Sequence, residues 1–244
     1  MKTIADILAA ARAAGRKRIA VAAAQEASAL EAALDARAAG IAEPVLIGDL
    51  EAIRAIAAEL GADLSGLRLI EEKDYARAAA AAVALVRSGE ADVLMKGVLD
   101  TSILLKAALN KEVGLNAGRL TSHVAVIESP HYHKLFIVTD AAINIAPDLQ
   151  GKLDIVANAV AVSRSIGVEL PKVAMLAAVE KVNPEKMPCT ADAALITQMN
   201  RRGQVKGCVV DGPLALDNAI SAESARIKKI VSDLGPGEYF GEMA

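Results

Sequence analysis

Tryptophan is missing from this 244-residue chain, and aromatic residues of all kinds make up only 2% of it. Proteins that hold single-stranded nucleic acid in a groove depend on aromatic platforms for base stacking, and the chain has almost none to offer. Charge of one sign is lacking too: 27 Lys and Arg stand against 30 Asp and Glu, for a formal net charge of −3 and a pI near 5.7. The basic residues are scattered, so no electrostatic footprint for nucleic acid exists and no nucleic-acid partner is expected. Long apolar runs are absent. Mean hydropathy is +0.35, but the excess is largely alanine in amphipathic segments, and no stretch of about 18 apolar residues could cross a bilayer. The opening MKTIADILAAARAAGRKR places Asp6 early and its basic residues after the apolar stretch, the reverse of a secretory signal. Cysteine is scarce, with Cys189 and Cys208 outside any CxxC pattern, so packing residues of a cytoplasmic protein are expected rather than a disulfide framework.

What is present is a core. At 54% hydrophobic and 23% charged, a chain of this length buries most of its apolar surface and has room for one large domain or two small ones. Ile4, Ile7, Leu8 and Ala11 recur at helical spacing up to Gly15. An apolar run at 19–24 reads as a strand buried on both faces. Ser28, three before Glu31, predicts a capping box and a helix closed by Gly40. The alternation repeats with a strand at 44–47, a helix from Asp49 to Gly61, a strand at 67–70, a helix at 74–88 stopped by Gly89, a strand at 93–95 and a helix from 101 to about 109. Strands alternating with helices at this spacing predict βαβ units, hence an α/β protein with parallel sheets.

Between 121 and 140 the rhythm breaks. HVAVIE and KLFIVTD are joined by only SPHYH, too short for a parallel crossover, which predicts a β-hairpin. Alternation then resumes with a helix at 148–166, a strand at 172–177, a helix near 190–200, a strand at 207–210 and a helix from about 214. The hairpin is the natural junction of two α/β lobes, residues 1–120 and 121–244. The glycines at 235, 237 and 241 read as a tail.

Ligands of open parallel sheets bind beyond the carboxyl ends of the strands, so the loops there are the candidate site. In MKGVLDTS, Lys96 is a mobile cation, Gly97 permits close backbone approach, and Thr101 and Ser102 place hydroxyls and amides at a helix start, a combination suited to an anion. The same residues also fit a plain helix cap and a solvated lysine. Asp140 and Asn144 in TDAAIN suit either a binding role or a turn. Arg119 can grip a phosphate bidentately or face water. Ser122, three residues further on, is a weaker candidate. His123 fits a structural imidazole in a strand, and His131 and His133 fall in the hairpin turn. Three histidines without a carboxylate at ligand spacing give no reason to expect a metal. There is no GxxxxGK[ST], GxSxG or GxGxxG between strand and helix.

At these same loops the chain resembles the phosphate acetyltransferase and phosphate butyryltransferase family, with the butyryl branch nearer. The resemblance runs over 19–232 and is carried by MKGVLDTSILLKAALNKEVGL, SHVAV, TDAAINIAPDL, PKVAML and RGQVKGCVVDGPLALDNAIS. It implies two lobes similar to isocitrate and isopropylmalate dehydrogenases, a homo-oligomer, reversible transfer of a short acyl group (butyryl or acetyl) between CoA and inorganic phosphate, and no metal or prosthetic group, with CoA as substrate. Lys96, Thr101, Ser102 and Arg119 would cradle phosphate, Asp140 with Asn144 would polarise or orient the acyl group, and Gly97 and Ser122 complete the substrate-binding candidates. The family pattern continues past the position of Leu234 with a Ser-Arg-Ala-Asp-type segment that supplies further phosphate or CoA contacts and the proposed base, whereas this chain ends in GPGEYFGEMA. The expectation is therefore an acyltransferase of the phosphate butyryltransferase type, or a shortened form of one with impaired activity, with an unidentified base and an open sheet edge near 207–210. A non-catalytic CoA- or phosphate-binding homologue and an oxidoreductase on the related dehydrogenase fold are the alternatives.

Overall fold

The computed structural model describes residues 1–116, 118–232, 234 and 240–243, and the chain forms two compact units, Leu8–Gly118 and Met1–Ile7 with Arg119–Ala244. Helix α1 (Ile4–Ala13) begins in the second and ends in the first.

In the Leu8–Gly118 unit the strands β1 (Lys17–Ala22), β2 (Ala42–Gly48), β3 (Arg68–Glu71) and β4 (Val93–Lys96) pair in parallel in the order β3-β2-β1-β4. Helices α2 (Ala27–Ala38), α3 (Leu50–Glu59), α4 (Tyr75–Arg87) and α5 (Thr101–Ala108) connect and cover them. The pleat sorts β1 between two cores. Val21 joins Leu46 against Leu30 and Ala33 of α2 and Ile53 of α3, while Ala20 and Ala22 join Val45 and Ile47 against Ala78, Ala79 and Ala82 of α4. Burial on both faces is why β1 and β2 read as continuous apolar runs. The strand order reverses between β1 and β4, so the ends of these strands form the sheet's topological switch point.

Local chemistry explains most boundaries and two shifts. Asp49 and Asp74 cap α3 and α4 by accepting from the first-turn amides of Ala52 and Arg77. The expected capping box at Ser28 does not form: Glu26 holds the N-cap position of α2, and the Ser28 hydroxyl donates to its carboxylate at 2.5 Å. The strand expected at 19–24 ends earlier, because Ala23 turns to a φ of 56°, a left-handed conformation that stops the extended chain.

The other unit carries the antiparallel hairpin, β5 (Ala125–Ile127) with β6 (Phe136–Val138), where the short link demanded one. Then follow α6 (Leu149–Ser165), β7 (Lys172–Leu176), α7 (Pro188–Arg201), β8 (Val209–Leu214), α8 (Leu216–Ile220), α9 (Ala222–Ile227) and β9 (Phe240–Met243). Their sheet is parallel in the order β8-β7-β9. Val156 and Val160 of α6, Val173 and Met175 of β7, Ile196 of α7 and Val210 of β8 form its main core.

Two expectations need correction here. The strand placed at 207–210 is β8 at Val209–Leu214, which runs through Gly212 and Pro213; a proline is tolerated because β8 is an edge strand among the described residues, and the register slips beside it between Ala174 and Leu176. Gly241, read as tail, lies within β9 beside β7, a strand fixed by long-range pairing that a four-residue stretch does not signal. Gly235 and Gly237 lie outside the described residues.

Candidate functional site

The first group of candidate residues stands where β4 runs into α5. Gly97 and Val98 donate their amides to the carbonyls of Ala22 and Ala23 at 2.8 and 2.9 Å, stitching this loop to the end of β1. A Cβ at Gly97 would overlap the Ala23 carbonyl, so the close approach that requires glycine is to the neighbouring strand rather than to a ligand. Lys96 curls over the loop, its Nζ donating to Gly97 O at 3.0 Å and Leu99 O at 3.1 Å, which leaves one of its three protons unassigned. Asp100 is the N-cap residue of α5 and makes no side-chain cap bond. Thr101 and Ser102, both exposed, find no partner for hydroxyl or amide among the described residues. The start of α5 thus presents unsatisfied donors and the positive end of a helix.

The second group is in the other unit and centres on residues 119–123. Several polar groups of this segment are held. The Leu120 amide donates to Asp154 Oδ2 at 3.3 Å and its carbonyl accepts from Asn158 Nδ2 at 3.0 Å. The same Asn158 nitrogen donates to Ser122 Oγ at 2.8 Å. Thr121 O accepts from Asn144 Nδ2 at 2.9 Å, the His123 amide donates to Asp140 Oδ2 at 3.2 Å, and the His123 carbonyl accepts from the Thr139 hydroxyl. Arg119 stands exposed at the head of the segment with no partner among the described residues.

Asp140 is the anchor of this clamp. Its Oδ1 accepts from the amides of Ala142 and Ile143, both at 2.9 Å, and its Oδ2 from the amides of His123 and Asn144 and from Asn144 Nδ2 at 2.6 Å. Burial pushes its carboxyl up, but the Ile143 and Ala142 amides, the Asn144 side chain and the His123 amide outweigh that and hold it at about 2. With five donors on two oxygens the carboxylate has no capacity to act on anything else. Asp140 and Asn144 are thus occupied in holding residues 121–123 and their own loop.

Sequence reasoning missed Asp154 and Asn158. The signal was there: Gln150, Asp154 and Asn158 recur every four residues along α6, one polar stripe on a helix whose other face is core, and Gln150 Nε2 donates to Asp154 Oδ1 at 3.3 Å. The remaining candidates are structural or solvated. Cys208 is buried in the core around β7, Cys189 is partly buried, and neither is in a disulfide. His131 and His133 are exposed, and His133 rests 4.7 Å from the Tyr132 ring. Among the described residues no cluster of His, Cys, Asp or Glu could hold a metal, and no helix is long and apolar enough to cross a membrane.

An α/β chain with cationic and hydroxyl donors at an uncapped helix start, and others on a separate clamped segment, suits an enzyme handling anionic groups. The sequence matches the family model described as "Phosphate acetyl/butaryl transferase" over residues 2–83 and 74–237, and the chain belongs to that family. It is 46% identical over 241 residues to the phosphate butyryltransferase of Clostridium acetobutylicum, across 98% of this chain and 80% of that protein. To the phosphate acetyltransferase of Thermotoga maritima it is 42% identical over 216 residues, 88% of this chain and 73% of that one. Its structure superposes on a branched-chain phosphotransacylase from Enterococcus faecalis V583 with a TM-score of 0.77 at 30% identity, covering 93% of this chain and 78% of that one. The chain is accordingly a phosphate acyltransferase, as expected, and the alternative of an oxidoreductase falls away.

Proposed function

We propose that the protein moves a butyryl or similarly short acyl group reversibly between CoA and inorganic phosphate, with Lys96, Thr101 and Ser102 at the start of α5, and Arg119 and Ser122 at 119–123, as donors to anionic oxygens. In the direction of acyl phosphate formation, a phosphate oxygen bonds to the acyl carbon while the carbon–sulfur bond breaks, and the departing thiolate takes up the proton that phosphate carried. Charge builds on the acyl oxygen and is already present on phosphate, so what the site must supply is positioned donors. The observation that carries this reading is the unsatisfied donor set at the start of α5 beside Lys96. Asp140 takes no part in moving the thiol proton, since a carboxyl at about 2 with five donors on it is a poor base near neutrality. The relatives' names support both butyryl and acetyl as the group transferred. The same proposal includes a dehydrogenase-like arrangement of each lobe, a cytoplasmic homo-oligomer, and turnover with CoA as substrate and without metal or prosthetic group.

Replacing Lys96→Ala together with Thr101→Ala should weaken phosphate binding by about 1–3 kcal/mol, the range for hydrogen bonds to charged groups. Calorimetric titration with inorganic phosphate checks this. Unchanged affinity in the double variant would remove the α5 start from the site.

A further inference from the structure

A serine hydroxyl has one proton to give and two lone pairs to receive, and which of these Ser122 offers is set by its neighbour. The Leu120 carbonyl can only accept, so the Asn158 group facing it at 3.0 Å is the NH2; the same nitrogen lies 2.8 Å from Ser122 Oγ. Both amide protons are committed, one to each oxygen. An amide nitrogen does not accept, so Ser122 cannot turn its own proton back onto Asn158. Among the described residues nothing else accepts from the Ser122 hydroxyl, which leaves that proton for whatever binds beside it. Accepting one hydrogen bond also polarises a hydroxyl and makes it a better donor. Three residues away the Arg119 guanidinium likewise lacks a partner among the described residues.

We propose that Asn158 is a positioning residue that commits Ser122 to donating a hydrogen bond to an oxygen of the substrate, either the phosphate or the acyl carbonyl. This rests on the reading of residues 119–123 as part of the substrate site. Asn158 itself touches no substrate; it works through the direction of one hydroxyl. Asp154, one turn earlier on α6, accepts from the Leu120 amide, so the helix holds both the N–H and the C=O of that one residue.

The test is a double-mutant cycle of Asn158→Ala and Ser122→Ala, read as initial rates of thiol release from butyryl-CoA with inorganic phosphate. Ser122→Ala should slow turnover about 10- to 100-fold, the worth of one hydrogen bond to a charged oxygen. Asn158→Ala should slow the natural enzyme by a comparable factor but have at least about ten-fold less effect in the Ser122→Ala background. A rise in KM for phosphate would assign the oxygen to phosphate, and a fall in kcat alone would assign it to the acyl carbonyl. If Asn158→Ala does not fold, Asn158→Asp serves in the same cycle: its carboxylate accepts, draws the serine proton away, and should give a loss that shrinks relative to the natural enzyme as pH falls and the carboxyl is protonated. Losses that multiply independently in the two backgrounds, with no such pH dependence, overturn the positioning role alone. Unchanged turnover in both Ser122→Ala and Arg119→Ala overturns the substrate-site reading of the segment together with it.

Discussion

Five hydrogen bonds converge on Asp140, and they decide what that residue does. A carboxylate in a loop beside a candidate site invites a chemical role, yet its lone pairs are all engaged by the backbone of 142–144, by Asn144 and by His123. The consequence for pH has a definite sign. The folded carboxyl sits at about 2, below the ordinary 3.8, so the stabilisation is complete above about pH 4 and is lost as pH falls towards 2. Amide resonances of Ala142 and Ile143 should therefore shift together in that window, and Asp140→Asn should abolish the transition and cost about 1–3 kcal/mol of stability at neutral pH. Resonances that stay still from pH 5 to 2 would show that the carboxylate is not the anchor.

At the scale of elements, the junction of β4 with β1 governs the candidate segment at the start of α5. Gly97 and Val98 extend the β1 pairing past the end of β4, which places the start of α5 over the switch point. Gly97→Ala would set a methyl against the Ala23 carbonyl and force the two loops apart, at a cost of about 1–3 kcal/mol as in other overpacked sites. A thermal melt measures it, and a variant as stable as the parent would contradict the close approach. Much at this scale was legible in the sequence. Strands buried on both faces announce themselves as apolar runs, Asp49, Asp74 and Asp148 announce helix starts, and SPHYH is too short for anything but a hairpin. What escaped was set by distant partners. Ala23 and Ala24 look like strand until a left-handed turn ends it, Gly212 and Pro213 look like a loop yet lie inside β8 where its register on β7 slips, and β9 is defined by its pairing with β7. The candidate residues could be named, but not their employment: nothing local tells that Asn158, some 36 residues on, directs the hydroxyl of Ser122.

For the molecule as a whole, the central claim is that this α/β chain transfers acyl groups between CoA and phosphate. Family membership supplies the class of reaction, and the donor-rich segments at the start of α5 and at 119–123 supply groups suited to its anions. The most direct measurement follows phosphorus NMR while the full chain is incubated with butyryl-CoA and inorganic phosphate, with free thiol assayed in the same samples. The account predicts a new acyl phosphate resonance that grows in one-to-one proportion with thiol, and its loss when CoA is added in excess. Thiol released without an acyl phosphate resonance, or no change in either signal against a protein-free control, would contradict it.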